Sequence, residues 1–149
     1  MRILVLCTHN ARRSLMAEAL LRWLARGHCE VVSAGIEPGT VDPNTLTVLR
    51  EIGVPTDGLR SKSVEEFQGQ HFDVVLTVCD GARERCPVFP GAPRVMHWSL
   101  PDPSLAQGTT EEVLEQFRRV RDELLRRIQQ ELLPLLAPAA DSASCTSRS

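Results

Sequence analysis

Arg2-Ile-Leu-Val-Leu-Cys7-Thr-His-Asn-Ala-Arg-Arg13-Ser14 runs straight into Leu15-Met-Ala-Glu-Ala-Leu-Leu-Arg-Trp-Leu-Ala-Arg-Gly27. Residues 2–6 form a short apolar run, the pattern of a strand buried on both faces. From about Ser14 to Arg26 the apolar residues recur at helical spacing. Leu15, Met16, Ala19, Leu20, Trp23 and Leu24 form the expected buried stripe, and Gly27 stops the helix. Between strand and helix lies a tight loop that opens with Cys7 and closes with Arg13.

A loop of this length between a strand end and a helix start can turn its backbone N–H groups toward one point. The positive end of the helix dipole is aimed at the same point. Such a concavity binds a tetrahedral oxyanion. Thr8, His9, Asn10, Ala11, Arg12, Arg13 and Ser14 are therefore the expected anion-binding residues. Arg13 can add a planar bidentate clamp. Cys7, at the base of this field, is favoured as the thiolate nucleophile. Ser14 can donate a hydrogen bond to the sulfur, and Asn10 tolerates a left-handed backbone. Cys-x5-Arg alone fits equally a core cysteine and a surface arginine. The apolar strand before it, the Arg-Ser pair and the amphipathic helix after it favour the anion loop.

The 149 residues are enough for one domain with its own core, and 42% of them are hydrophobic. The net charge is -2 and the isoelectric point about 6.1, so there is no basic surplus for general nucleic-acid binding. Lys62 is the single lysine; every other formal cation is an arginine. No apolar run reaches membrane-spanning length, and the N-terminus reads as a strand rather than a signal peptide. Five irregularly spaced cysteines in a chain expected in the cytoplasm argue against a disulfide framework and for catalytic or redox use of some thiols.

Glu30 to Ala34, closed by Gly35, reads as a second strand. Residues 43–52 read as a helix with Pro43 in its first turn and Leu46, Val48, Leu49 and Ile52 inward. Ser63 to Phe67 reads as a short helix whose Ser63 and Glu66 form a capping box. Asp73–Val78 and Arg94–Trp98 are the third and fourth strands. A last helix is expected from about Thr110 to Leu133, with Val113, Leu114, Phe117, Val120, Leu124, Leu125, Ile128 and Leu132 as its stripe. Residues 1–134 make the domain and 135–149 a disordered tail, whose composition falls to Ala, Ser, Thr and Asp beyond Pro138. Strands alternating with helices predict an α/β domain: a four-stranded parallel sheet with helices on both faces. In such folds ligands sit beyond the carboxyl ends of strands. Cys7–Ser14, Cys79–Cys86 and Asp102 all follow strand ends, so they should gather on one edge.

Asp102 stands between two prolines. A carboxyl aimed into an anion pocket can hold a proton and deliver it to a leaving oxygen; local sequence alone favours a turn aspartate, but with the Cys7 loop on the same edge the general acid is the favoured reading. Cys79 and Cys86 flank a polar segment containing Gly81, which can bend to bring two sulfurs within disulfide range. Thiolate exchange with Cys7 then becomes possible. Two core cysteines is the alternative. A zinc site is poorly supported, because neither Cys-x2-Cys nor a pair of histidines at ligand spacing is present. Cys29 and Cys145 read as incidental thiols, His9 as a rim side chain, and His97 and Trp98 as packing at the end of a core strand.

Cys7-Thr-His-Asn10-Ala-Arg-Arg13-Ser14, Ser33-Ala-Gly35, Cys79 with Cys86-Pro87, and His97-Trp98 followed by Asp102-Pro103 resemble the thioredoxin-coupled arsenate reductases. These share the fold of the low-molecular-weight protein tyrosine phosphatases. Glu115 to Leu124 also resembles their final helix, and the resemblance spans roughly residues 2–133. It implies that Cys7 attacks arsenate held by the loop and Arg13, while Asp102 protonates the departing hydroxyl. It further implies that Cys79 and then Cys86 carry a disulfide outward to thioredoxin, with no flavin, nicotinamide or metal. The chain is expected to act as a monomer, with phosphate as a substrate analogue. The family loop often has a cysteine where Arg12 stands. Some members hold potassium through residues matching Asn10, Glu18 and Ser33 plus an aspartate; Lys62 stands at that aspartate's place, and its ammonium is expected to replace the ion. A phosphomonoesterase of the same fold is the rival reading. Against it stand the Cys79/Cys86 pair, the absence of tyrosine, and Ser104-Leu105 after Asp102-Pro103 where phosphatases usually carry tyrosines.

Overall fold

The computed structural model describes residues 1–80 and 88–136. Four parallel strands, β1 (Arg2–Cys7), β2 (Glu30–Gly35), β3 (Val74–Thr77) and β4 (Arg94–His97), lie in the order β2-β1-β3-β4. Helices α1 (Arg13–Ala25), α2 (Pro43–Glu51), α3 (Thr110–Arg127) and α4 (Leu133–Leu136) complete the main elements. The parallel α/β sheet expected from the sequence is therefore present. β1 is central: Cys7 pairs with Gly35 of β2, and Leu6 pairs with Thr77 of β3. Ile3, Leu4, Val5 and Leu6 have no exposed surface, as a strand covered on both faces requires.

The two faces are covered differently. Ile3, Val5, Val74 and Leu76 pack with Met16 and Leu20 of α1, Val48 and Leu49 of α2, and Phe117 and Leu124 of α3. Leu4, Leu6 and Val75 face Phe67, Phe72 and Phe89. Among the described residues this second face carries a single 3-10 turn, Val64–Phe67. Each large apolar side chain so buried contributes about 1.5–3 kcal/mol.

Several local expectations need correction. α1 packs against both the sheet and α3. Its buried arc therefore includes Ala17 and Leu21, and Trp23, expected inside, is exposed. Ser63 caps its turn by accepting from the Glu65 N–H, and Glu66 pairs with Arg60 instead of closing a capping box. β4 is paired to β3 alone among the described residues, so it is an exposed edge rather than a core strand. The last helix is not continuous: α3 ends at Arg127, and Ile128–Leu132 forms a π-turn before α4. Pro134 accounts for this, because it cannot donate to the carbonyl four residues back and its ring crowds that carbonyl. The Leu133 N–H reaches Ile128 O instead. Leu135 and Leu136, assigned by sequence to the tail, lie in α4 against the core; the rest of that tail lies outside the described residues. No helix among the described residues is long and apolar enough to cross a membrane.

Candidate active site

The loop from Cys7 to Arg13 lies at the carboxyl end of β1. Its outward-facing groups are bonded to the framework. Thr8 O accepts from the Glu37 N–H at 2.9 Å. His9 O accepts from Ser61 Oγ at 3.0 Å. Ala11 O accepts from the Asp42 N–H at 3.2 Å and from Thr45 Oγ1 at 3.0 Å. Asn10, at φ 51°, accepts the Lys62 N–H on Oδ1 at 2.7 Å. With these carbonyls turned out, the loop can turn N–H groups inward. The loop rests on Gly35: a Cβ there would lie 2.6 Å from Thr8 O and 2.9 Å from Asn10 N. α1 has no side-chain cap and no acidic residue in its first turn, so its N-terminal dipole is left for an anion.

Cys7 is almost wholly buried. Its Sγ accepts the Asn10 N–H at 3.2 Å and lies 2.9 Å from Ser14 Oγ. Ser14 Oγ already accepts from Asn10 Nδ2 at 2.7 Å, which leaves the hydroxyl proton to the sulfur. The Asn10 N–H thus points at Sγ, with the Ser14 hydroxyl beside it.

Arg13 is 3% exposed and donates from Nη1 to Leu100 O at 3.1 Å. Its Nη2 lies 3.8 Å from Asp102 Oδ2. Asp102 Oδ1 caps the following turn by accepting the Ser104 N–H at 2.9 Å. Carboxyl and guanidinium are therefore brought together beside the loop. Cys79 is wholly buried just past β3 and is disulfide-bonded. The Val78 N–H donates to Leu6 O at 2.9 Å, so the ends of β1 and β3 lie side by side. Cys86 lies outside the described residues.

Behind the loop is a charged cluster in which Glu18, Lys62 and Ser33 are buried. Glu18 accepts from Lys62 Nζ at 3.3 Å and Arg22 Nη1 at 2.8 Å, and Ser33 Oγ donates to it. Asn10 Nδ2 donates to Ser33 Oγ at 2.9 Å and links the cluster to the loop. Lys62 also donates to Arg60 O at 2.7 Å. Burial pushes the Lys62 ammonium down from its ordinary value, with Glu18 opposing that shift.

The side chains of Arg12 and His9 are both engaged outside the loop. The Arg12 guanidinium points at Asp42, with Nε–Oδ2 at 2.8 Å, so what Arg12 offers an anion is its backbone. His9 is exposed, with Nδ1 3.1 Å from Glu37 O, and stays at the rim. His97 is exposed and its Nδ1 lies 2.7 Å from Thr77 Oγ1, while the buried Trp98 donates to Glu131 at 3.0 Å. Sequence reading passed over Ser61, Thr45 and Asp42. The Asp42-Pro43 pair, a helix start, was the available signal. No group of three or more metal-ligating side chains occurs among the described residues.

The family model for the low molecular weight phosphotyrosine protein phosphatase matches residues 2–137. An arsenate reductase of Halalkalibacterium halodurans is 39% identical over 127 residues, 85% of this chain and 91% of that protein. A solved arsenate reductase in the phosphate binding state superposes with a TM-score of 0.73 at 28% identity, covering 91% of this chain and 96% of the other. The thioredoxin-dependent arsenate reductase of Corynebacterium glutamicum gives a TM-score of 0.57 at 31% identity, covering 87% of this chain and 62% of the other.

Proposed function

We propose, for a chain that belongs to the low molecular weight phosphotyrosine protein phosphatase family, that it is an arsenate reductase converting arsenate to arsenite. The observation that carries this reading is the pairing of β1 with β3, which sets Cys79 on the same edge of the sheet as Cys7. A phosphatase needs Cys7, Arg13 and Asp102 but has no use for a second cysteine there.

In this reading the loop N–H groups and Arg13 hold arsenate, and the Cys7 thiolate attacks arsenic. Asp102 gives its proton to the departing oxygen, which leaves as water. The Cys79 thiolate then attacks Cys7 Sγ. A Cys7–Cys79 disulfide forms, and the electron pair of the breaking sulfur–arsenic bond stays on arsenic, which leaves as arsenite. Cys86 attacks Cys79, frees Cys7 as thiolate, and leaves a Cys79–Cys86 disulfide. An external dithiol reduces that disulfide. Thioredoxin is the proposed donor, as in the name of the Corynebacterium glutamicum relative. Both electrons come from thiols, so no further cofactor is called for. Such thiol chemistry fits the cytoplasm, where thiols stay reduced. Lys62, bonded to Glu18, takes the role of a structural potassium ion, so turnover should not depend on potassium.

A single-turnover experiment tests the reading. The reduced chain, freed of external thiol, should yield one arsenite per molecule and then stop, with two thiols lost. Release of phosphate from aryl phosphates with no arsenite formed would favour the family's phosphatase activity instead.

A further inference from the structure

Asp42 lies 30 residues from Arg12 in sequence, at the start of α2, and its carboxylate oxygens have separate tasks. Oδ1 accepts the Asn44 N–H at 2.9 Å and caps α2. Oδ2 accepts Arg12 Nε at 2.8 Å. The Asp42 N–H holds Ala11 O, and Thr45, one turn into α2, holds the same carbonyl. Arg12 needs this support. It precedes α1 at φ −133° and ψ −85° with no side-chain cap of its own, and it immediately precedes Arg13. The Arg12 and Asp42 side chains are only 25% and 15% exposed, so this pair is screened less than a surface ion pair.

The opposite end of α2 is anchored as well. Glu51 accepts from Arg118 Nη2 at 2.8 Å and Arg121 Nη1 at 3.0 Å, and Arg121 Nη1 also donates to Val48 O at 2.9 Å. α2 thus forms a strut from α3 to the second half of the anion loop.

We propose that Asp42 is a positioning residue for oxyanion binding, fixing Ala11 and Arg12 so that the loop N–H groups and Arg13 meet the anion in one geometry. The role rests on the anion-loop reading of Cys7–Ser14. Asp42→Asn separates the two tasks, because an amide oxygen can still cap Asn44 while the amide cannot pair with a guanidinium.

The test is phosphate protection of Cys7 against iodoacetamide in the reduced full-length chain, read at the Cys7 peptide by mass spectrometry. Asp42→Asn should weaken protection about three- to tenfold, with a near-normal melting transition. Arg12→Ala should lose as much, and the double variant no more than either single one. Arsenate KM should rise by more than kcat falls. Protection at the wild-type level in Asp42→Asn, or losses that add in the double variant, would overturn the positioning role alone. Failure of phosphate to protect the wild-type chain would overturn the anion-loop reading and this role with it.

Discussion

The loop from Cys7 to Arg13 and the segment from Trp98 to Leu105 both follow parallel strands on the same edge of the sheet, yet they are held in opposite ways. The first leaves the wholly covered β1 and is braced from outside by Glu37, Ser61, Lys62, Asp42 and Thr45. The second leaves the exposed β4 and is held mainly by burial of Trp98 and Leu100 in the core. Its hydrogen bonds among the described residues include those from the Trp98 N–H to Thr77 O, from Trp98 Nε1 to Glu131, from Arg13 to Leu100 O, and from the Ser104 N–H to Asp102 in its own turn. The proposed anion cradle is braced by the framework. The Asp102 carboxyl, its proposed proton donor, lies against Arg13, a member of that cradle. Binding and proton delivery should therefore respond separately to mutation.

Cys7→Ser should abolish turnover while leaving the fold intact, because Ser fits the space and the hydrogen bonds of the thiol; steady-state assays and circular dichroism check this. Asp102→Asn tests the second segment. It should lower kcat by about 10²–10⁴ as expected for loss of a general acid, while phosphate still protects Cys7 from alkylation. Equal loss of protection would erase the distinction between the two regions. Gly35→Ala tests the cradle from the other side. Its Cβ has no room against Thr8 O and Asn10 N, so the variant should lose about 1–3 kcal/mol of stability and most phosphate protection, as read by urea unfolding and the alkylation assay.

How much of this contrast was legible in the sequence follows from the range of the forces involved. Cys7, Arg13, Ser14 and Asp102 stood out because local patterns mark them: an apolar strand, a helix start, a proline-flanked acid. Their gathering on one edge followed from strand–helix alternation. The bracing did not show, because Ser61 on His9 O and Asp42 on Arg12 bridge 52 and 30 residues. No periodicity encodes such pairings. Arg12 looked like an anion ligand from its place in the loop, and only the fold reveals the carboxylate that takes its side chain. The exposure of β4 and of Trp23 was equally hidden, since apolar pattern alone does not say which neighbours arrive.

Two smaller effects sharpen the comparison. The cluster behind the loop already has its cation in Lys62, so initial rates should be equal in potassium and lithium salts; a clear potassium activation would contradict this. On α3, Arg126 and Arg127 hold the Glu123 carboxyl at about 2, below its ordinary 4.5. Its folded value is depressed, so its contribution is present above about pH 4.5 and is lost as pH falls toward 2. Glu123→Gln should lower the melting temperature slightly at pH 7 and by less at pH 3, with no change in phosphate protection at pH 7.

The central claim is that Cys7 works with a cysteine pair rather than alone. Arsenate-dependent NADPH consumption with thioredoxin and its reductase, in wild type, Cys79→Ser and Cys86→Ser, tests it most directly. The account predicts turnover in wild type and none in either variant, with any hydrolysis of small aryl phosphates surviving in all three. Aryl phosphate hydrolysis indifferent to both substitutions, with no arsenate-dependent turnover in wild type, would contradict it.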